Sequence, residues 1–434
     1  MKIFSKKLIL KNNFRSILKV ATGKFSSYII NLIIAVSFTK KFGSESHGEY
    51  VFFISLAHIL VSLYIFGLSN SNFKKLTFSE KQIQINFLFQ NFILGLIISL
   101  IIATFLSFLY FILTQFILNL TFDLTIVLLF FVIILKSIYV FFIRSFRAIN
   151  KISLFAMGEI PSQILILTLA IFFIEKLNDK IILNLLLIGW GTGLLISISI
   201  IVYTFRNYFN KIEFDFKFLR NINHFKELFI VTSNTNLVIL SENFIPIILK
   251  FFNDNIIISN YDLIKRVVSL PMFILPVTNS IIAPLSIKYF REKKNKKFEK
   301  ITQQLSMFSF GFCLIFFFSS LILYDRFLID FFEITRADNI ILIIGLFCFG
   351  YCFHTFSGPN NLVLNLNEKH FSLLKNNLFC SFGFILILFL SFNFFNDFLF
   401  ISAISSCLYF LTINYVNLRL IKKTFGIQLT ILKV

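Results

Sequence analysis

NYDLIKRVVSLPMFILPVTNSIIAPLSIKY, residues 260–289, is the segment from which the architecture of the chain is most readily predicted. It is long enough to cross a bilayer, because about 20 apolar residues span the hydrocarbon core. It also contains Pro271, Pro276 and Pro284, which a helix in a soluble core would not tolerate. A membrane helix accommodates prolines, since neighbouring groups satisfy the carbonyls that lose their donors. The stretch therefore predicts a broken transmembrane helix, and the charges near its start predict that it lines a cavity.

The composition is that of a protein with many membrane spans. Of 434 residues, 57% are hydrophobic and only 14% are charged, and the mean hydropathy is +0.85. Apolar runs of about 18 residues or more recur along the chain, which no soluble globular protein of this length shows. The net charge of +20 arises in a chain rich in Phe, Ile, Asn and Lys, a bias that AT-rich coding produces by itself. The charge therefore does not indicate a nucleic-acid partner.

Twelve apolar segments, joined by short loops, are each long enough to cross the bilayer as a helix. We therefore predict an all-α polytopic membrane protein with about 12 transmembrane helices in two six-helix halves around a central cavity. The predicted spans are 18–39, 49–68, 87–113, 124–143, 155–174, 182–203, 228–249, 256–287, 302–324, 340–364, 376–395 and 398–418.

The longest hydrophilic piece, 206–227, falls between the sixth and seventh spans and divides the chain into the two halves. A faint repeat supports this division, because Asn31-Leu-Ile-Ile in the first span has a counterpart in Asn236-Leu-Val-Ile in the seventh. The predicted regions are a basic cytoplasmic N-terminal segment (1–17), the N-terminal half (18–203), a cytoplasmic inter-half loop (204–227), the C-terminal half (228–418) and a basic cytoplasmic tail (419–434).

The distribution of basic residues sets the predicted orientation. Of the 41 Lys and Arg residues, 30 lie on the side of the spans that carries the N-terminus, 7 lie on the opposite side and 4 lie inside spans. Cytoplasmic loops carry the excess of Lys and Arg in membrane proteins. Both termini are therefore predicted to be cytoplasmic.

Four motifs, in order along nearly the whole chain, resemble those of polysaccharide-biosynthesis flippases, which move O-antigen repeat units. The segment KKFGSESHGEY at 40–50 is similar to the signature that follows the first helix of that family. The segment 66–70 is similar to the end of its second span, 259–286 to a longer motif that covers most of the predicted eighth span here, and 358–366 to a stretch of its tenth span. Phe42 and Ser44 depart from the usual leucine and proline, and these departures leave the substrate open.

The resemblance implies membership in the multidrug/oligosaccharidyl-lipid/polysaccharide (MOP) exporter superfamily. A member of this flippase family would translocate undecaprenyl-pyrophosphate-linked oligosaccharide across the bacterial inner membrane for O-antigen, capsule or exopolysaccharide synthesis. Its partners would be membrane lipid, the lipid-linked glycan and the polymerase and chain-length machinery. It would be neither an enzyme nor a metalloprotein, and it would need no cofactor beyond a coupling H⁺ or Na⁺.

Cations inside the spans are the candidate partners of a pyrophosphate, because charge-assisted bonds to phosphate are strong. The resemblance extends to the lipid II flippases, in which cations of the first and eighth spans line the cavity. Two alternatives stay open: Lys24 could snorkel to the cytoplasmic interface, and Lys265 and Arg266 could anchor the outer end of their span. The predicted substrate-binding residues are Lys24, Asn31, Lys136, Asn236, Lys265 and Arg266.

Three carboxylates inside the spans are candidates for ion coupling: Glu159, Glu242 and Asp262. Burial raises the pKa of a carboxyl, so that such a group can exchange a proton or sodium ion near neutral pH. Structural pairing with a cation is the alternative, and Glu159 and Glu242 are the candidate counter-ions of Lys136.

Two other classes of function compete with the flippase. An ion-coupled drug or metabolite antiporter of the same superfamily would share the twelve spans but would not be expected to match the flippase motifs. A membrane polymerase or ligase would need a sizeable external loop with a catalytic constellation, and the external loops here are short. There is no Gly-rich nucleotide loop, which argues against direct drive by ATP.

Overall fold

The structure, a computed structural model, is all-α over the residues that it describes. Those residues are 2–64, 76, 79–118, 124–149, 151–209, 222–252, 254–322, 339–367, 369–395 and 397–430. Where the described ranges include the connection between two helices, it is a short turn, and the prediction of an all-α polytopic fold is confirmed.

The helices in chain order are α1 (Lys2–Tyr64), α2 (Lys81–Leu118), α3 (Leu124–Ala148), α4 (Ile152–Met157), α5 (Ile160–Phe173), α6 (Asp179–Phe205), α7 (Ile222–Phe251), α8 (Asn255–Val268), a 3₁₀ turn (Leu270–Phe273), α9 (Ile274–Arg291), α10 (Asn295–Ile322), α11 (Ile340–Ser357), α12 (Asn360–Leu366), α13 (His370–Phe394) and α14 (Phe398–Phe425).

Eleven segments of the described chain are long and apolar enough to cross a membrane. The first, Leu18–Val61, has 44 residues. That length is about 66 Å of helix, about twice the thickness of the hydrocarbon core. At Gly43 the backbone has φ 85° and ψ 162°, a conformation that glycine adopts at little cost. Gly43 therefore divides α1 into the predicted first and second spans, in agreement with a total of twelve.

The predicted eighth span is interrupted, as its prolines indicate. Helix α8 ends at Val268, the 3₁₀ turn follows, and α9 begins at Ile274. Pro271 lies in the first turn of the 3₁₀ segment, where its missing N–H removes no helical hydrogen bond. The prediction of a broken helix is confirmed.

The predicted tenth span contains a second interruption, between α11 and α12. Gly358 has φ 67°, which ends α11, and Pro359 cannot donate a hydrogen bond that would continue it. Both residues stand in the sequence, but a Gly-Pro pair can also lie within a kinked membrane helix. The sequence analysis therefore predicted the extent of this span and not its division into two helices.

Side-chain caps fix the starts of three helices. The side-chain oxygens of Asn178, Asp254 and Asp397 each accept a hydrogen bond from the backbone N–H three residues later, at 2.9–3.0 Å. Such caps satisfy donors that the first helical turn leaves without a partner. These short polar residues therefore set where α6, α8 and α14 begin.

The chain forms two compact units. Unit 1 consists of residues 1–40 and 248–434, and unit 2 of residues 41–247. The first span thus groups with the C-terminal part of the chain, and most of α7 groups with the N-terminal part. The centre of the predicted inter-half loop, 210–221, lies outside the described residues.

An apolar cluster of unit 1 includes part of the segment that was predicted to be a basic tail. Helix α14 continues to Phe425, and Ile427 and Leu429 beyond it are buried against α9, α10 and α12. The Gln303 side chain of α10 donates to the carbonyls of Gln428 and Thr430, at 3.0 and 3.2 Å. Residues 427–430 are therefore part of the core of unit 1.

In unit 2, helix α6 packs closely against α3 and α5 at two glycines. A Cβ atom on Gly189 would lie 2.4 Å from Cγ1 of Ile166, and one on Gly193 would lie 2.5 Å from Cζ of Tyr139. The Tyr139 hydroxyl lies 2.5 Å from the carbonyl of Gly158, to which it donates, and 3.1 Å from Oγ of Ser162. Small residues allow membrane helices to approach closely, and here they also admit a buried tyrosine.

Replacing Gly193 with alanine is expected to destabilise the protein by about 1–3 kcal/mol, because the new methyl group would overpack against Tyr139. Thermal unfolding of the purified protein in detergent measures this change. The control is Gly311→Ala in α10, where an added Cβ would meet no atom within 4 Å. Alanine favours helix over glycine, so the control is expected to be neutral or stabilising. Equal unfolding temperatures for the two variants would contradict the packing argument.

Candidate functional site

The charged residues of the eighth span form a paired group on α8. Asp262 and Arg266 are four residues apart, so they lie on one face of the helix. The Arg266 Nε donates to Oδ2 of Asp262, and its Nη1 donates to the backbone carbonyl of Asn31 in α1, at 3.1 Å. Charges within membrane spans are costly unless they are paired in this way. The structure therefore brings three predicted site residues together in unit 1.

Lys265 lies beside this pair and interacts with Tyr261. Its Nζ is 5.4 Å from the centroid of the Tyr261 ring, within the range of cation–π attraction. The tyrosine is 2% exposed, and its ring contacts Phe347 of α11. The last turn of α8 thus presents two adjacent cations, immediately before the break in the span.

Lys24 lies on α1, and the helix around it packs against the same broken span. The ring of its neighbour Phe25 is 5.1 Å from that of Phe273 in the 3₁₀ turn. Lys24 is half-buried and precedes Asn31 by seven residues, so both lie on one side of α1. Of the predicted cations, Lys24, Lys265 and Arg266 therefore all lie on two elements of unit 1 that contact each other.

The position of the eighth span in the membrane decides whether its cations line a cavity or anchor the outer end of the helix. The segment apolar enough to cross a membrane, Leu270–Arg291, begins after Arg266. Helix α8 is nevertheless enclosed by protein, with every residue from Ile258 to Ile264 buried. Arg266 contacts protein groups on two helices, which an anchor in the head-group layer would not require.

Unit 2 holds a second cationic position. Lys136 on α3 is 5% exposed, and its Nζ lies 3.8 Å from the centre of the Trp190 ring of α6. Glu159, in the turn between α4 and α5, is near enough to attract both Lys136 and Arg144. The sequence analysis considered Glu159 as a counter-ion but missed Trp190, the single tryptophan of the chain.

The remaining two predicted residues, Asn236 and Glu242, lie on α7. Asn236 is half-buried, and Glu242 is exposed although it lies within a membrane-crossing segment. Pro246 follows Glu242 by four residues, and a proline cannot donate the helical hydrogen bond that the Glu242 carbonyl would accept. A carboxylate and a carbonyl that lacks its helical donor are both ligand types that hard cations prefer.

A network of amides in unit 1 was also missed by the sequence analysis. Asn414 accepts from Asn360 at 2.8 Å and from Nδ1 of His354 at 3.1 Å. Asn417, one turn later on α14, donates to Asn361 at 2.9 Å. These bonds hold the chain at the break between α11 and α12. In the sequence, the only sign of this network was the pair of asparagines three residues apart within the last apolar segment. Among the described residues, no group of three or more His, Cys, Asp or Glu is placed to hold a metal ion.

The chain shares its fold with solved MATE transporters. It is similar to an inward-facing multidrug resistance MATE transporter of the MOP superfamily, with TM-score 0.63, 12% identity, and 92% of this chain and 94% of that chain covered. It is also similar to the Vibrio cholerae MATE transporter VcmN in its bent form, with TM-score 0.63, 13% identity and 98% of both chains covered. The multidrug transporter DinF-BH has TM-score 0.61 at 16% identity, with 98% and 97% covered.

At these identities the similarity is one of fold. No family model and no curated protein matches the sequence. The three solved structures named above are transporters.

Proposed function

We propose that this protein is a flippase that moves an undecaprenyl-pyrophosphate-linked oligosaccharide across a bacterial inner membrane for surface polysaccharide synthesis. Two observations support the proposal: the multi-pass fold common to MATE transporters, and the motifs at 40–50 and 259–286 that resemble those of the flippases. Membrane lipid and the lipid-linked glycan are the direct partners in this proposal, and polymerase and chain-length proteins act on the product.

The observation that carries the proposal is the position of Arg266. It is held by Asp262 on one side and by the backbone of α1 on the other, with 20% of its side chain exposed. Lys265 precedes Arg266 by one position on α8, about 100° around the helix, and Lys24 lies on α1, which contacts the same broken span. Cations kept at this cost inside a span favour an anionic ligand, since an arginine fork matches the geometry of phosphate oxygens.

The mechanism we propose is alternating access. A transporter of this kind carries a charged head group through a wet cavity while the lipid tail stays in the bilayer. The broken eighth span can change its angle at the 3₁₀ turn without breaking helical hydrogen bonds within α8 or α9. Because Arg266 is bonded to α1, such a change would alter the position of the first span together with the eighth.

An ion-coupled drug or metabolite antiporter is the second candidate function. The exposed carboxylate of Glu242 and the carbonyl that Pro246 leaves without its helical donor favour a cation site on α7. An ion site also suits a flippase driven by an ion gradient. The substrate therefore discriminates between the two candidates, since the flippase carries an anionic lipid.

Depletion of the protein in its native cells tests the flippase proposal. We expect complete undecaprenyl-pyrophosphate-linked repeat units to accumulate on the cytoplasmic side, because synthesis continues while translocation stops. Extraction and mass spectrometry of the lipids measure this accumulation and reveal the sugars. Normal turnover of these units, in cells without a redundant flippase, would instead favour the antiporter. Accumulation of incomplete glycans would indicate an enzyme.

Replacing Glu242 with glutamine is expected to reduce the dependence of transport on the ion gradient by about tenfold, because one charge-assisted ligand is lost. Uptake into proteoliposomes with imposed H⁺ or Na⁺ gradients measures the effect. Glu175→Gln is the matched control, since Glu175 is an exposed carboxylate in the turn between α5 and α6, and we expect it to leave the gradient dependence unchanged. Unchanged gradient dependence in Glu242→Gln would exclude this residue from coupling.

A further inference from the structure

Unit 2 contains a cavity of about 290 Å³ that the transport proposal does not use. It is formed where α2 begins and where α3 and α6 end, on the side of the spans predicted to be cytoplasmic. Its lining, among the residues that the structure describes, includes three cations, Lys81, Lys151 and Arg206, and no acidic residue. All three cations are exposed, so a ligand can reach them from solvent or from the head-group layer.

The helix dipoles account for only part of this charge. Arg206 follows the carboxyl end of α6, where the dipole favours a cation in any protein, whereas Lys151 lies between the carboxyl end of α3 and the amino end of the short helix α4. Lys81, in contrast, begins α2, and a cation at the amino end of a helix is disfavoured. The gathering of the three cations around one cavity therefore points to an anionic ligand.

Part of the cavity lining consists of buried or hydrogen-bonded side chains. Ile149 and Phe205, which line it, belong to a buried apolar cluster of unit 2. Gln84, also in the lining, is 7% exposed, and its Nε2 donates to the carbonyls of Leu76 and Ser79, at 3.0 and 3.1 Å. The guanidinium of Arg206 is positioned over the ring of Tyr203, at 5.4 Å. Arginine and lysine side chains bind phosphate oxygens through charge-assisted hydrogen bonds.

An exposed apolar stripe on α6 leads to the cavity. Ile188, Leu195 and Val202 are spaced by seven residues and are 50%, 66% and 47% exposed. Residues seven apart lie on one face of a helix, and the stripe ends at Tyr203, which is 72% exposed and lines the cavity. Tyrosine is typical of the membrane interface, with its ring at the level of the head groups. A cationic cavity at the end of an apolar stripe fits a lipid better than a soluble phosphate compound.

We propose that this cavity binds the phosphate head group of an anionic membrane lipid, whose acyl chains lie along the stripe on α6. The lipid is a bound component of the transporter and not its cargo, so the proposal is independent of the substrate proposed above.

Titration of the purified full-length protein with phosphatidylglycerol in detergent, followed by native mass spectrometry, tests this site. Each cation near a membrane surface strengthens the attraction to an anionic lipid about fivefold. The triple variant Lys81→Gln, Lys151→Gln, Arg206→Gln is therefore expected to raise the dissociation constant about a hundredfold. All three side chains are exposed, and the thermal unfolding temperature measured without lipid checks that the variant is folded.

The matched control removes three exposed lysines at and just before the start of α10, on the same predicted side: Lys293→Gln, Lys296→Gln, Lys300→Gln. We expect less than about a twofold change in this control, because isolated exposed charges interact weakly and are screened by salt. An equal loss in both triple variants would overturn the proposal, since the attraction would then be one of general surface charge. Displacement of the lipid by inorganic phosphate, or equal binding of phosphatidylcholine, would overturn it as well. Unchanged lipid binding in Lys24→Glu would separate this site from the proposed transport pathway.

Discussion

Replacing Lys24 with glutamate is expected to reduce transport of the lipid-linked substrate about a hundredfold while membrane insertion is retained. A charge-assisted hydrogen bond contributes about 1.5–3 kcal/mol, and the reversed charge adds repulsion of the pyrophosphate. Lys24 is half-buried on α1, beside Phe25, which contacts the 3₁₀ turn of the broken span. Transport into inverted membrane vesicles, normalised to the amount of inserted protein, measures the effect.

Lys19→Glu is the matched control, because it reverses the same charge on the same helix five residues earlier. Lys19 is exposed and lies next to the basic N-terminal segment. We expect it to change transport by less than about twofold, since exposed charges are screened by salt. Equal transport by the wild type and Lys24→Glu would show that Lys24 snorkels to the interface and does not face the substrate.

Replacing Arg266 with glutamine is expected to lower both stability and transport, because this side chain links α8 to α1. Loss of one partner of a fully buried ion pair costs about 3–5 kcal/mol. The Arg266 and Asp262 side chains keep 20% and 12% of their exposure, so we expect a smaller loss of about 2 kcal/mol. Thermal unfolding in detergent gives the stability, and transport is measured on the folded fraction.

The double variant Asp262→Asn, Arg266→Gln separates the two roles of Arg266. It removes both charges, so stability is expected to recover to within about 1 kcal/mol of the wild type. Transport is expected to stay low, because the cation that would hold the pyrophosphate is still missing. Recovery of transport together with stability would assign Arg266 a structural role only.

The eighth span shows how far local sequence rules predict this fold. Three prolines within one apolar stretch indicated a broken membrane helix, and the structure interrupts it at Ser269 to Phe273. A proline removes a hydrogen bond within four residues of itself, so the break that it causes in a helix can be predicted without the tertiary structure. The interruption of the tenth span at Gly358 was not predicted, because a membrane helix can absorb a Gly-Pro pair when its neighbours supply donors. The side chains that hold this interruption lie more than 50 residues away in the chain: Asn414 accepts a hydrogen bond from Asn360, and Asn417 donates one to Asn361.

The candidate site was predicted as a set of residues and not as an arrangement. The cations of the first and eighth spans are conspicuous, since charges are rare in apolar segments. The partners of these cations cannot be recognised in the sequence. The Arg266 guanidinium donates to a backbone carbonyl 235 residues away, and Lys136 lies against the ring of Trp190. The division by chain order into two halves likewise gave no sign that residues 1–40 group with 248–434.

The sequence by itself determined the class of the molecule: a multi-pass helical membrane protein, its number of spans and the break in its eighth span. These properties depend on apolar run length and on the backbone chemistry of proline and glycine, which act locally. Only the tertiary structure decided which cations are paired, which helices they join and where the cationic cavity of unit 2 lies. Those properties depend on contacts between distant segments. Because the spans consist largely of Phe, Ile, Leu and Asn, many different pairings of spans are compatible with the same local sequence pattern.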